Sequence, residues 1–579
     1  MIDTPSCKTD PTLTAVDVRE SGTTTAPGPL AAGTIAASVA LALSACGGGG
    51  SDPAPGPGPT PPPQTSPTES EASRFLAQAS MGASREQIAR VQALGYAGWL
   101  DEQFALPAST ARWDWLVANG FSDVSYKNSE GGFDAAAWSK LLASPDTLRQ
   151  RVTLALSEIM VAAIDGLVGT SWKAFSAAAY LDLLEANAFG NHRTLMQQIS
   201  TSVPMGAFLT FRGSAKANTT TGALPDENYA REVMQLFTIG LVLLNADGTA
   251  QMTNGKTTDT YGLADITGLA RVFTGWDIDL AGAANAAAAT ATPDFQRRPM
   301  VQYPSRHELG AKTFLGTTIA AGTPGEQSLK LALDTICAHP NVAPFFARQM
   351  IQRLVTSNPS PAYVARVAAV FVDDAAGARG NLRAVVRALL LDTEARSASV
   401  ASGTRFGKLR EPMLRLSGWA RAFSATSASG AWAVGNTSDP ATRLSQSPLR
   451  SPTVFNFFRP GYVPPNSAIA VAALVAPEFQ IENESSVVGC INFLQRVVAG
   501  GVGDVKGGYS ALLPLADNER MLVDEINLVL AANQLSSATV SALAAAVQTM
   551  PKGTDPARLN RIYATLVLVL AAPEFIVQK

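Results

Sequence analysis

The stretch SREQIARVQALGYAGWLDEQF, residues 84–104, sets the pattern for the whole chain. Ser84 and Gln87 have the spacing of a capping box, in which a hydroxyl opens a helix and a side chain three residues on reaches back to it. Ile88, Val91 and Leu94 follow at intervals of three and so share one helical face. Gly95 suits the left-handed position that ends a helix, and Tyr96 to Phe104 begins the next. From Glu71 onward the spacing of three and four recurs almost throughout, while alternation with period two is scarce. The expected class is all-α, a large multi-helical bundle or helical array with long irregular loops. Helices are expected, among others, over residues 146–164, 226–239, 342–355 and 408–423, with a last group over 484–498, 519–531, 539–550 and 557–570. Residues 201–225, 277–327 and 424–465 carry no such pattern, and loops of that length are common seats of function. Four helix ends share a phrase: LLASPD (141–146), LLLDTE (389–394), LVAPEF (474–479) and LAAPEF (570–575). Pro and Asp there stop one helix and can start another.

Of the 579 residues, 46% are apolar and 16% charged, enough to bury a large core and too little charge for wholesale disorder. Lys and Arg number 44 against 47 Asp and Glu, with no basic stripe to neutralise phosphates, so nucleic acid is not an expected partner. There are four Cys and no Cys-x-x-Cys, which leaves out a c-type haem and a four-thiolate zinc site.

The first seventy residues differ from the rest. Leu30 to Leu43 is an uncharged run with the length of a signal-peptide core, short for a membrane span. Leu43-Ser44-Ala45-Cys46 comes directly after it and resembles the lipobox of bacterial lipoproteins, which makes Cys46 the expected lipidation site. Residues 1–45 are therefore read as a lipoprotein-type signal peptide. Upstream, Asp3, Asp10, Asp17 and Glu20 outnumber Lys8 and Arg19, unlike a short positive leader; a true start further along would reconcile this. Residues 46–70 are rich in Gly and Pro and form an extended tether, leaving 71–579 as the folded body. The expected address is exported, as an outer-membrane lipoprotein or in the periplasm, held to the membrane by a lipid anchor. In that oxidising setting Cys337 and Cys490 can pair, or remain buried thiols in apolar helices.

Phrases spread along the body resemble a large bacterial family, domain of unknown function 1800 (DUF1800). Arg74-Phe75-Leu76 and Trp99-Leu100-Asp101-Glu102-Gln103 match its opening. Phe189-Gly190-Asn191-His192-Arg193 and the run ENYAREVMQLFTIG, residues 227–240, match its centre. Thr274-Gly275-Trp276, HELGAKTFLG (307–316), Arg450-Ser451-Pro452 and NFFRPGY (456–462) continue it in order. The resemblance implies an exported, mostly helical protein with no settled activity, often encoded beside an alkaline-phosphatase-like protein. Such a protein is thus an expected partner.

Candidate chemistry gathers on the matching stretches. Asn228 and Glu232 lie one turn apart, as do Glu227 and Arg231, while Val233, Leu236 and Phe237 supply an apolar side. This can be a surface ion pair or a carboxylate and amide facing a cleft. His307 lies near Lys312 and Arg306 in a loop, where an imidazole can act as base or bind an anion. Candidate catalytic residues are Glu232, His307 and Asp277; candidate binding residues are Asn228, Arg231, Arg271, Trp276, Lys312, Arg450 and Arg459. Glu158, in the apolar run TLALSEIMVAAI, is expected to be partly buried and paired with Arg149 or Arg151; Asp182 and Glu185 share a face. No metal and no cofactor is expected, since His192, His307 and His339 form no His-Glu-x-x-His pair. Gly-x-Ser-x-Gly is missing, and Asn254-Gly255-Lys256-Thr257 lacks the first Gly of a phosphate loop.

Two functions fit: a binding or assembly component of the cell envelope, or an envelope hydrolase with an acid- and His-lined cleft. The anchor is directly testable. Labelled palmitate is expected to enter the protein and to be absent from a Cys46→Ser variant; label retained by the variant contradicts the lipobox reading.

Overall fold

Ser84 and Gly95 act as their chemistry requires: the Ser84 side chain accepts from the Gln87 amide, and Gly95, at φ +68°, breaks Arg85–Ala105 into two helical arms. These features belong to a computed structural model that describes residues 66–579. Cys7, Cys46, the signal segment and residues 46–65 of the 46–70 linker lie outside the described residues. A capping box between Thr68 and Glu71 opens the first helix, Glu69–Ala79, two residues ahead of Glu71.

The described chain is mostly helical. Five two-stranded antiparallel ribbons, each of two or three residues per strand, qualify the expectation of a strictly all-α fold. Glu69–Ala79 packs on Arg85–Ala105 and also on Glu519–Ala531, so the two ends of the body meet. Glu519–Ala531 lies against Ser537–Gln548 and Asp555–Ala571, and Val342–Leu354, Pro361–Val372 and Leu382–Leu391 pack in succession. One contiguous apolar core runs through these groups, with Trp99, Trp138, Trp172 and Trp419 fully enclosed. Among the described residues no helix is long and apolar enough to cross a membrane. Cys337 and Cys490 are both buried free thiols, which decides that alternative against a disulfide.

Three boundaries depart most from the periodicity, and the first is the expected helix over 146–164, which ends at Ile159. The expected helix over 408–423 starts at Pro412, whose missing amide hydrogen suits a first helical position. The preceding Lys408–Leu409 is a strand paired with Val577–Gln578. The expected helix over 226–239 is a short α-helix, Asn228–Glu232, that widens into a π-helix over Val233–Thr238. There the Ile239 amide reaches back five residues to the Met234 carbonyl, and the Thr238 hydroxyl donates to the Val233 carbonyl.

Asn341 holds this π-helix end to the Val342–Leu354 helix. Its Nδ2 donates to the carbonyls of Ile239 and Val242 at 2.9 and 2.8 Å, and its Oδ1 accepts from the Leu244 amide at 2.9 Å. Asn341→Leu would strand three backbone groups in a buried place and is expected to cost about 3 kcal/mol. Guanidinium unfolding of the two proteins measures this, and an unchanged midpoint contradicts the clamp.

Candidate functional site

Phe345, Gln349 and Arg353 stand four residues apart on Val342–Leu354, so one stripe of this helix carries all three. The stripe faces a cavity of about 340 Å³ between it, the π-helix residues Gln235 and Leu236, the end of Thr147–Ile159 and the loop of Val454, Phe455 and Arg459. Gly240 closes the π-helix side at φ +71°, where a Cβ would come within 2.7 Å of the Phe345 ring. Apolar surface dominates the walls, and the charged groups lie at the base and rim. Arg459 is exposed at the rim, its guanidinium 4.5 Å from the centre of the Phe455 ring.

At the base Arg353 Nε lies 3.1 Å from Glu158 Oε2, both side chains almost fully buried. The angle is too poor for a hydrogen bond, so this is a Coulombic contact, and Arg353 Nε and Nη1 keep unspent donors. Arg353, not Arg149 or Arg151, is thus the partner of Glu158. Arg151 instead donates to the Arg353 carbonyl, as does Lys408 Nζ at 2.7 Å, and Gln578 Nε2 donates to the Leu354 carbonyl at 3.0 Å. These groups satisfy buried carbonyls that the helix C-terminus leaves without an intrahelical partner, and the two cations suit its negative dipole end. Lys408 in turn pairs with Glu411 at 3.2 Å and Glu478 at 3.1 Å. Gln446 Nε2 donates to Glu411 at 2.9 Å.

Burial, the nearby Glu411 charge and a hydrogen bond to Glu411 together push the Glu158 carboxyl well above the ordinary glutamate value. Burial alone would also raise Glu411, but Lys408, the Glu158 bond and Arg151 outweigh it and hold Glu411 low. Of the two acids, Glu158 is the one driven toward its protonated form and Glu411 the one driven toward its charged form.

The residues singled out from sequence fall into separate groups. His307, Lys312 and Arg271 come together around Glu308. His307 is buried with Nδ1 at 3.0 Å from the Thr274 carbonyl, and burial, opposed by that carbonyl, lowers its pKa. Its Nε2 has no hydrogen-bond partner. Burial likewise lowers Lys312. Glu232 sits elsewhere, beside Tyr261: burial raises it despite Arg231, and its Oε2 and the Tyr261 hydroxyl are both unpartnered. Asn228 is half-buried, its backbone amide held by Asp226, while Arg231 lies 3.6 Å from Glu227. Asp277 pairs with Arg306 at 3.0 Å, and Trp276 is buried in a ribbon strand. Arg450 gathers Asp134, Glu130 and Asp165. Of the candidate catalytic and binding residues only Arg459 lines the cavity, with Glu158 at its base. Asp182 and Glu185 both bind Arg112, and Glu185 also takes Lys140 at 2.8 Å. Among the described residues no three His, Cys, Asp or Glu side chains group closely enough to hold a metal ion.

Sequence reasoning missed Arg353, Gln349, Lys408 and Glu411. The four-residue stripe on the 342–355 helix was the available signal for the first two. Glu478 lies inside one of the repeated phrases, LVAPEF, yet is buried on Lys408, while Glu574 of LAAPEF only accepts from Thr539.

The family model for the protein of unknown function DUF1800 matches residues 74–577. The chain belongs to the DUF1800 family. No curated protein and no solved structure matches it. Two of the DUF1800 phrases, 227–240 and 456–462, contribute to the lining of the cavity through Gln235, Leu236 and Gly240 and through Arg459 and Pro460.

The raised Glu158 carboxyl has a pH signature. Because Glu158 keeps its proton in the native state where the unfolded chain loses it, its contribution to stability falls as pH rises from the ordinary value of 4.5 toward the raised one. Glu158→Gln removes that loss while keeping shape and a donor. The variant is expected to gain stability over the wild type at pH 8 more than at pH 5, read from guanidinium midpoints; parallel pH profiles contradict the assignment.

Proposed function

We propose that this DUF1800 protein is an exported lipoprotein of the bacterial envelope whose helical body serves as a binding or assembly component beside an alkaline-phosphatase-like partner. The observation that carries the reading is the separation of the polar candidates. His307 is held on the Thr274 carbonyl and Lys312 donates to the Gly310 carbonyl, Glu232 lies beside Tyr261, and Asp277 is paired with Arg306. General acid and base groups must face one reacting centre, and these attend to different neighbours. The cavity at Arg353 instead combines apolar walls with a few buried donors, the make-up of a site that holds a ligand. The tether gives such a body reach from the membrane, since Pro-rich chain advances about 3.1 Å per residue.

A hydrolase using Glu232 or Asp277 with His307 is the competing reading. Pull-down of the tethered protein from its host, repeated with Glu232→Gln and His307→Ala, separates the two. A phosphatase-like protein retained by all three supports the binding role. An unchanged partner set together with loss of a hydrolytic turnover in either variant contradicts it.

A further inference from the structure

We propose that the cavity above Arg353 binds a small ligand with one carboxylate and an apolar body, the carboxylate on Arg353 and Gln349 and the body between Leu236, Phe345 and Phe455. This rests on the reading of the body as a binding component and names its ligand class.

The base of the cavity offers buried positive charge and unpartnered donors. Arg151, Arg353 and Lys408 bring three positive charges to the base, and burial drives two of the three carboxyls among them, Glu158 and Glu478, toward their neutral forms. Arg410, which feels Arg151, adds to the same sign. Lys408 is spent on its two carboxylates; Arg151 and Arg353 each give Nη2 to a carbonyl and each keep Nε and Nη1 unpartnered, but of the two only Arg353, at 1% exposure, lines the cavity. Gln349 Nε2 is a second buried donor without a partner. Two orphaned donors on one helix stripe, four residues apart, are a large unmet cost in a native structure, and a carboxylate meets both.

The walls select the apolar group that the carboxylate carries. Leu236, Phe345, Val454 and Phe455 are half-buried and Leu241 is exposed, so the apolar space opens to solvent beside Arg459. At about 340 Å³ the space lies at the small end of the range for small-molecule sites. Arg459 at the rim favours the approach of an anion.

Octanoate is a suitable probe, titrated calorimetrically into the full chain beside octan-1-ol and octylammonium. One octanoate is expected to bind, with octanol at least about tenfold weaker, the worth of one charge-assisted hydrogen bond. Octylammonium is expected not to bind. Leu236→Trp fills the space and is expected to abolish octanoate binding with the helical circular dichroism unchanged; Val454→Trp, on the opposite wall, gives the same readout should Leu236→Trp fail to fold. No heat with octanoate, equal binding of octanol, or undiminished binding to a folded filling variant overturns the site. Such a failure leaves acylation and partner retention standing, whereas loss of those would overturn the earlier reading and leave octanoate binding intact.

Discussion

A charge taken from water must find an opposite charge or be neutralised by a change of protonation, and the body of this protein is closed around buried acids and bases under that constraint. Arg151 and Glu158 come from one helix, Arg353 from the end of a second, Lys408 and Glu411 from a strand and turn, and Glu478 from a short 3₁₀ segment. None can be buried alone. The segments that carry them are far apart in the chain, so the ionic centre forms only when the whole body has come together. Deleting one partner of such a centre commonly costs about 3–5 kcal/mol, because the other stays buried and unpaired. The C-terminus takes part through Gln578, which donates to the Leu354 carbonyl.

The cavity is a product of the same arrangement. The helix that ends at the ionic centre presents Phe345 and Gln349 on the stripe that ends in Arg353, and its start is tied by Asn341 to the backbone beyond the π-helix. The wider π turn places Gln235 and Leu236 opposite that stripe. A rigid charged floor and an apolar wall are thus built by one helix, and the family phrases at 227–240 and 456–462 complete the enclosure. The polar residues outside this enclosure serve other ends: Arg112 and Arg450 each neutralise several acids, and His192 packs edge-on against Phe346 and Phe371 with burial lowering its pKa to about 3.

Much of the helical architecture was legible because its signals are local. Ser84, Gly95, and the spacing of Ile88, Val91 and Leu94 declare a helix and its end without reference to any distant residue. Pro412 was an equally local sign, outweighed by the apolar period running through it, so the strand at Lys408 was read as helix. The π-helix could not be seen, since its sequence keeps an ordinary helical pattern through Val233 and Phe237. The ionic centre was legible only in part. Glu158 stood out as an acid in an apolar run, but its partner Arg353 lies 195 residues away, and periodicity carries no information across that distance. For the same reason His307 and Lys312 could be placed near one another within a loop, while the separation of both from Glu232 could not.

The most direct probe of the ionic centre is the infrared spectrum of the full chain at neutral pH, wild type against Glu158→Gln. A proton held on Glu158 requires the carbonyl stretch of a protonated carboxylic acid in the wild type and its loss in the variant. Identical spectra in that region would mean that Glu158 is ionised, that Arg353 is already neutralised, and that the cavity has no charge to offer a ligand.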